Sequence, residues 1–191
     1  MKNVLIIGAS GSLASYVIDE LQKKKDVYLT LMLRHRNRLD HHNLAHTKLV
    51  EADVMNYPLL RDAIKGQDIV YVNLAGNLEA MTKNIVRAMQ DTGVKRIIAI
   101  SSIGIYETPL RPILQPYRKL ADIIEASGLD YTILRPDWFT NADEVNYEIT
   151  RKHEQEKGTA VSRKSIASFI ATIIENPGDW INENLGISKP T

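Results

Sequence analysis

Gly8, Gly11 and Ala14 stand at three-residue intervals in the stretch GASGSLA, directly after the apolar run Val4–Ile7. Residue types at this spacing suit one task. Gly8 permits a tight turn out of a strand, Gly11 lets main chain approach a charged group with no side chain between, and Ala14 keeps the following helix close to a sheet. The N-terminus of that helix offers N–H groups and a positive dipole end to phosphate, and the hydroxyls of Ser10 and Ser12 add donors. Three glycine-like positions alone are weak, because turns use glycine for many reasons. A strand before them and a helix after them supply the context that binding a dinucleotide pyrophosphate requires.

The end of the second strand chooses the dinucleotide. NAD-binding domains carry an acidic residue there, about twenty residues beyond the glycines, for the ribose hydroxyls. This chain has Arg34 twenty residues after Ala14, followed by His35, Arg36 and Arg38, with no carboxylate until Asp40. A guanidinium holds a 2′-phosphate in a charge-assisted fork, where a carboxylate would repel it. The expected cofactor is therefore NADP(H), with Arg34 and Arg36 beside the 2′-phosphate and NAD(H) as the lesser fit. The plainer alternative is a solvated basic loop. His41, His42 and His46 include an i, i+4 pair but lack a carboxylate placed as third ligand, so a solvated loop is expected there and no metal site.

These residues need a frame. Short β-branched runs alternate with stretches of helical period: strands over 3–7, 27–33, 47–50, 68–74, 96–100 and 131–134, and helices over 12–24, 57–64, 79–91, 115–127 and 165–175. Gly128 suits the C-cap of the fourth helix. Strands joined through helices make right-handed crossovers and a parallel sheet, and continuous apolar strands agree, since such a sheet is covered on both faces. The expected fold is a Rossmann-type, doubly wound, three-layer α/β sandwich, one domain spanning 1–191. The polar stretch after Arg135-Pro136 is expected to make residues 137–191 a small substrate-side part, capping the C-terminal ends of the strands.

Composition bounds the rest. A chain of 191 residues buries roughly 70% of its unfolded surface and folds without staples. It has no cysteine, which excludes a disulfide framework, a thiolate zinc site and a cysteine nucleophile. With 24 basic against 23 acidic residues, nothing global suggests nucleic acid. No stretch approaches membrane-spanning length. A cytoplasmic protein with a small-molecule substrate, monomeric or homodimeric, is expected.

The chain resembles the short-chain dehydrogenase/reductase superfamily, specifically its atypical members with an NmrA-like NAD(P)H-binding domain. Beyond the glycines, the resemblance lies in NLAG (Asn73–Gly76), AISSIGIY (Ala99–Tyr106), SGLDYTILRPDWFTN (Ser127–Asn141) and VSRKSIA (Val161–Ala167). It implies that Leu13 joins the turn on the cofactor, that Asp53 and Val54 lie beside the adenine, and that Ala75 and Gly76 leave room for the adenosine ribose. It adds Ser101 and Pro136 to the cofactor side. Asp53 also suits a helix N-cap, and the two roles are compatible.

The same resemblance implies a serine, a tyrosine and a lysine four residues after that tyrosine, which together deliver a proton as hydride arrives. Ser102 fits the serine and Lys119 the lysine. The tyrosine is missing: Gln115 stands four residues before Lys119, and Tyr117 only two, which points their side chains about 200° apart on a helix. Tyr106 resembles the substrate-side tyrosine of related members. Two readings follow. In one, hydride passes to an acceptor that needs little acid catalysis, such as a flavin, a quinone or an enone, as in members of the flavin/biliverdin reductase type; Asp137 then relays a proton, and Trp138 and Phe139 form an apolar wall. In the other, the protein binds NADP(H) without turnover and reports redox state, as NmrA-like regulators do.

Overall fold

The computed structural model describes residues 1–39, 44 and 47–191. An eight-stranded sheet runs through it in the order β3-β2-β1-β4-β5-β6-β10-β8. The first six strands are β1 (Lys2–Ile7), β2 (Val27–Leu33), β3 (Thr47–Glu51), β4 (Ile69–Val72), β5 (Arg96–Ile100) and β6 (Asp130–Pro136). All pair in parallel, with Val4 opposite both Leu29 and Ile69, and Ile98 opposite Thr132. β1 lies between β2 and β4, so the chain leaves it to one side and later returns on the other. Such a reversal opens a crevice at the C-terminal ends of the strands.

Helices cover both faces. α1 (Ser12–Gln22) and α5 (Arg163–Glu175) pack together on one, and α2 (Tyr57–Ile64), α3 (Leu78–Thr92) and α4 (Gln115–Glu125) on the other. Alternation along β1 feeds both cores, Val4 and Ile6 toward α1 and α5, Leu5 and Ile7 toward α2 and α3. α1 buries Leu13, Ala14, Val17, Ile18 and Leu21. Each large apolar side chain among these contributes about 1.5–3 kcal/mol of burial, which holds the helix N-terminus in place behind the glycine turn. No helix among the described residues is long and apolar enough to cross a membrane.

The C-terminal part divides between sheet and flap. β8 (Glu148–Arg151) and β10 (Glu183–Ser188) extend the central sheet, β10 parallel to β6 and β8 antiparallel to β10. The rest of this part is a flap, a two-stranded parallel ribbon of β7 (Phe139–Thr140) with β9 (Val161–Ser162) and the loops beside it. The strands that periodicity did not reveal are short or carry polar residues. His41, His42 and His46 lie outside the described residues.

Candidate functional site

At the switch point the glycine turn and the end of β4 are wedged together. Gly8 has φ +84°, and its N–H and that of Ala9 both donate to the Met32 carbonyl, at 3.0 and 3.2 Å. A Cβ on Gly8 would stand 2.1 Å from the Asn73 carbonyl oxygen, and one on Gly11 2.8 Å from the Asn73 side-chain nitrogen. Asn73 fills the space that both glycines leave. Gly11 is the N-cap of α1, with no side chain capping the helix and no acidic residue in its first turn. The positive helix end is thus left to the crevice.

That crevice is a cleft of about 900 Å3. On one side it is lined by Gly8, Ser10, Gly11, Ser12 and Leu13, by Arg34, by Asp53 and Val54, and by Ala75; on the other by Ser101, Ser102, Pro136, Asp137, Trp138 and Phe139. Most of the expected residues meet here. Four stand apart. Arg36 lies exposed in the short 3-10 turn Arg36–Arg38, and Gly76 faces solvent one residue beyond Ala75. Lys119 is exposed on α4, where its charge falls on Glu79 of α3 and helps hold that carboxyl below its usual range, after the stronger hydrogen bond and charge of Lys83. Tyr106 turns away from the cleft into a polar cluster: its hydroxyl accepts from Asn184 Nδ2 at 2.7 Å, and burial, then the charge of Glu125, raises its pKa.

Local bonding explains how the others are held. Asp53 Oδ1 accepts from the Met55 N–H at 2.8 Å, and Asn56, three residues on, is the N-cap of α2. Ser101 is buried and donates to the Tyr117 main-chain oxygen at 3.1 Å, fixing the start of α4 to the end of β5. Ser102 is only half-buried, and its hydroxyl donates to the Ile103 carbonyl at 3.2 Å. Asp137 Oδ1 accepts from the Trp138 N–H at 2.7 Å. Trp138 is 84% exposed and Ile113 75% exposed, an apolar rim at the mouth.

Sequence reasoning passed over several lining residues: Asn73, Arg111, Ile113, Tyr117 and Arg163. Tyr117 lines the cleft and Lys119 does not, as their two-residue separation requires. Among the described residues no lysine lines the cleft, so the tyrosine–lysine pair of the full apparatus is not assembled there. One signal for Arg163 was present in the sequence: two cations, Arg163 and Lys164, follow the N-cap Ser162, where a helix dipole favours acids.

The fold and this site define a dinucleotide-binding domain. The chain belongs to the NAD(P)H-binding family, whose pattern matches residues 8–177. It is 44% identical to a Rossmann-fold NAD(P)-binding family protein of Shigella flexneri, over 100% of this chain and 94% of that one, with a TM-score of 0.92. A short-chain dehydrogenase/reductase of Veillonella parvula in complex with NADP has a TM-score of 0.89 at 24% identity, over 99% of this chain and 95% of that one. An uncharacterized sugar epimerase of Bacillus subtilis, YhfK, is 25% identical over 90% of this chain and 87% of its own. The site fits the cofactor on its own terms. The uncapped end of α1, with Ser10 and Ser12 beside it in the cleft, suits its phosphates.

Proposed function

We propose that the protein is an NAD(P)H-dependent reductase, preferring NADPH, which passes hydride to a small conjugated acceptor such as a flavin, a quinone or an enone. One observation carries the reading: residues suited to the dinucleotide and residues suited to a flat apolar acceptor line the same cleft, and no lysine is among them. Reducing an isolated ketone, or oxidising a sugar hydroxyl, needs a positioned acid–base pair. A conjugated acceptor spreads the charge it gains and takes its proton later.

When bound, the reduced nicotinamide supplies a hydride. In this reading Ser10, Ser12 and the first-turn amides of α1 hold the phosphates, Arg34 takes the 2′-phosphate, and Asp53 accepts from the adenine amino group. Ser102 turns its hydroxyl from Ile103 to the ligand and orients it. Asp137 relays the proton at the cleft wall, while Trp138, Phe139 and Ile113 exclude water. Lys119 and Tyr106 take no part in the chemistry.

Two measurements test this. Purified protein mixed with NADPH and a panel of flavins, quinones and enones should consume the nicotinamide absorbance with at least one acceptor. Ser102→Ala should slow that turnover about fivefold, the worth of one hydrogen bond of about 1 kcal/mol, and Asp137→Asn by no more than a similar factor, because the acceptor takes its proton after the hydride. Tight NADPH binding with no turnover on any acceptor would replace the reductase by a redox sensor. Separately, Arg34→Ala should weaken NADPH binding by about tenfold or more, the worth of a hydrogen bond between charged groups, and leave NADH nearly unchanged. Equal losses for the two nucleotides would remove Arg34 from the 2′-phosphate.

A further inference from the structure

We propose that Arg163 is a second anion ligand of the cofactor site, holding the dinucleotide pyrophosphate from the side opposite the glycine turn. This rests on the NAD(P)H reading of the cleft given above.

Arg163 opens α5, whose N-cap Ser162 accepts from the Ser165 N–H at 2.9 Å. A guanidinium in the first turn of a helix sits at the end where the dipole disfavours a cation, so its placement there needs another cause. Its partners are all neutral. Nε donates to Ser12 Oγ at 3.2 Å, Nη1 donates to Asn141 Oδ1 at 2.8 Å, and the guanidinium lies 5.1 Å from the centroid of the Phe139 ring. Among the described residues no carboxylate pairs with it.

The neighbouring cations behave differently. Lys164, the next residue, pairs with Asp143 at 2.5 Å, and Arg111, the other cation on the acceptor side of the cleft, has Glu107 at 4.0 Å. Arg163 alone of the three faces the cleft without a counter-charge, and what it touches there is Ser12, the first residue of α1. Two positive features, the uncapped end of α1 and a permanent guanidinium charge, therefore meet across a single hydroxyl with nothing negative between them. An anion taken up at that point relieves the repulsion and gains charge-assisted bonds from both. A pyrophosphate has charge and acceptor oxygens for two such partners.

The placement also joins the two halves of the cleft. Phe139 and Asn141 belong to the flap on the acceptor side, and Ser12 to the phosphate cradle. Arg163 spans them. Its role differs from that of Arg34 in kind: Arg34 reads a group that only NADPH carries, whereas Arg163 reads the group that both nucleotides share.

The experiment follows from that difference. Affinities for NADPH, NADH and adenosine 2′-monophosphate, which has the 2′-phosphate but no pyrophosphate, are measured by fluorescence titration and competition for the wild type, Arg163→Met and Arg163→Lys. Arg163→Met should weaken NADPH and NADH by the same factor, about tenfold or more, the worth of hydrogen bonds to a charged group. Arg163→Lys should recover part of it, and adenosine 2′-monophosphate should bind all three proteins alike, which also shows the variants folded. Unchanged NADPH affinity in Arg163→Met, or an equal loss for adenosine 2′-monophosphate, would overturn the role of Arg163 while leaving the cofactor reading intact. Wild-type protein that binds neither dinucleotide would overturn the cofactor reading itself.

Discussion

Alanine at position 8 is expected to abolish dinucleotide binding and to destabilise the domain by about 3 kcal/mol, the sum of two costs. The first is conformational. Gly8 has φ +84°, a region that costs an L side chain about 1–2 kcal/mol. The second is steric. The new Cβ would stand 2.1 Å from the Asn73 carbonyl oxygen and 2.9 Å from its carbon, and overpacking of this sort costs about 1–3 kcal/mol. Those atoms are main chain, tied to β1 by the Asn73 N–H donating to the Ile7 carbonyl at 3.0 Å, so relief requires the switch point itself to open. Gly76→Ala is the matched control. Gly76 also has positive φ, +100°, but its Cβ would meet only the flexible end of Met81, at 3.7 Å. It should cost about 1 kcal/mol, the conformational part alone, and keep NADPH affinity. Urea unfolding and a fluorescence titration read both variants. A Gly8→Ala protein that binds NADPH normally would remove the turn from the cofactor site.

The central sheet was legible because its strands are buried on both faces, which forces uninterrupted apolar runs such as Val4–Ile7 and Ile97–Ile100. The bounds of β2, β5 and α2 agree with the periodicity residue for residue. β10 escaped for the opposite reason. Its sequence ENLGIS places Asn184 and Ser188 in the interior. Asn184 is buried because distant residues, Arg135, Tyr106 and Glu125, satisfy its amide. Gly186 lets Thr150 of β8 come close, since a Cβ there would stand 2.3 Å from Thr150 Oγ1. Pairings of that range leave no mark in a local pattern.

The same distinction divides the site. Residues on the strand ends and the glycine turn were legible, since a parallel sheet sends its C-terminal ends to one edge. Side chains whose direction is set by partners distant in sequence were not. Tyr106, four residues past Ser102, turns into the cluster around Glu125 because Asn184, Lys152 and two arginines surround it there. Arg163 reaches Ser12 across 151 residues of chain, a contact that exists only once α5 has packed on α1.

Replacing Arg135 by methionine is expected to cost about 3 kcal/mol, near the lower end for breaking a buried ion pair. Arg135 is 1% exposed. It pairs with Glu156, its Nε donates to Asn184 Oδ1 at 2.8 Å, and it lies over the Tyr106 ring at 5.3 Å. Glu156 in turn accepts from the Gly104 N–H at 2.9 Å, so the pair fastens the flap loop to the strand ends beside the cleft. The lower end applies because the Glu156 side chain retains 20% exposure, and solvent softens the charge left behind. Removing both charges, as Arg135→Met with Glu156→Met, should recover part of the loss, because no carboxylate is then stranded. A double variant no more stable than the additive sum would show that packing, not charge, sets the cost.

The cluster also carries a pH signature. Burial works to raise the pKa of Glu125, and the hydrogen bonds from Lys152 and Asn184, with the Lys152 charge, more than offset it and leave the carboxyl below its usual value of 4.5. An acid whose pKa is lower in the folded than in the unfolded chain contributes stability that is present above the unfolded value and lost as pH falls through the folded one. The urea midpoint of the wild type should therefore fall as pH drops below about 4.5, and Glu125→Gln should make that fall shallower while lowering the midpoint at neutral pH, where Lys152 loses its counter-charge. An acid limb of unchanged slope in Glu125→Gln would mean that the cluster does not hold this carboxylate ionised.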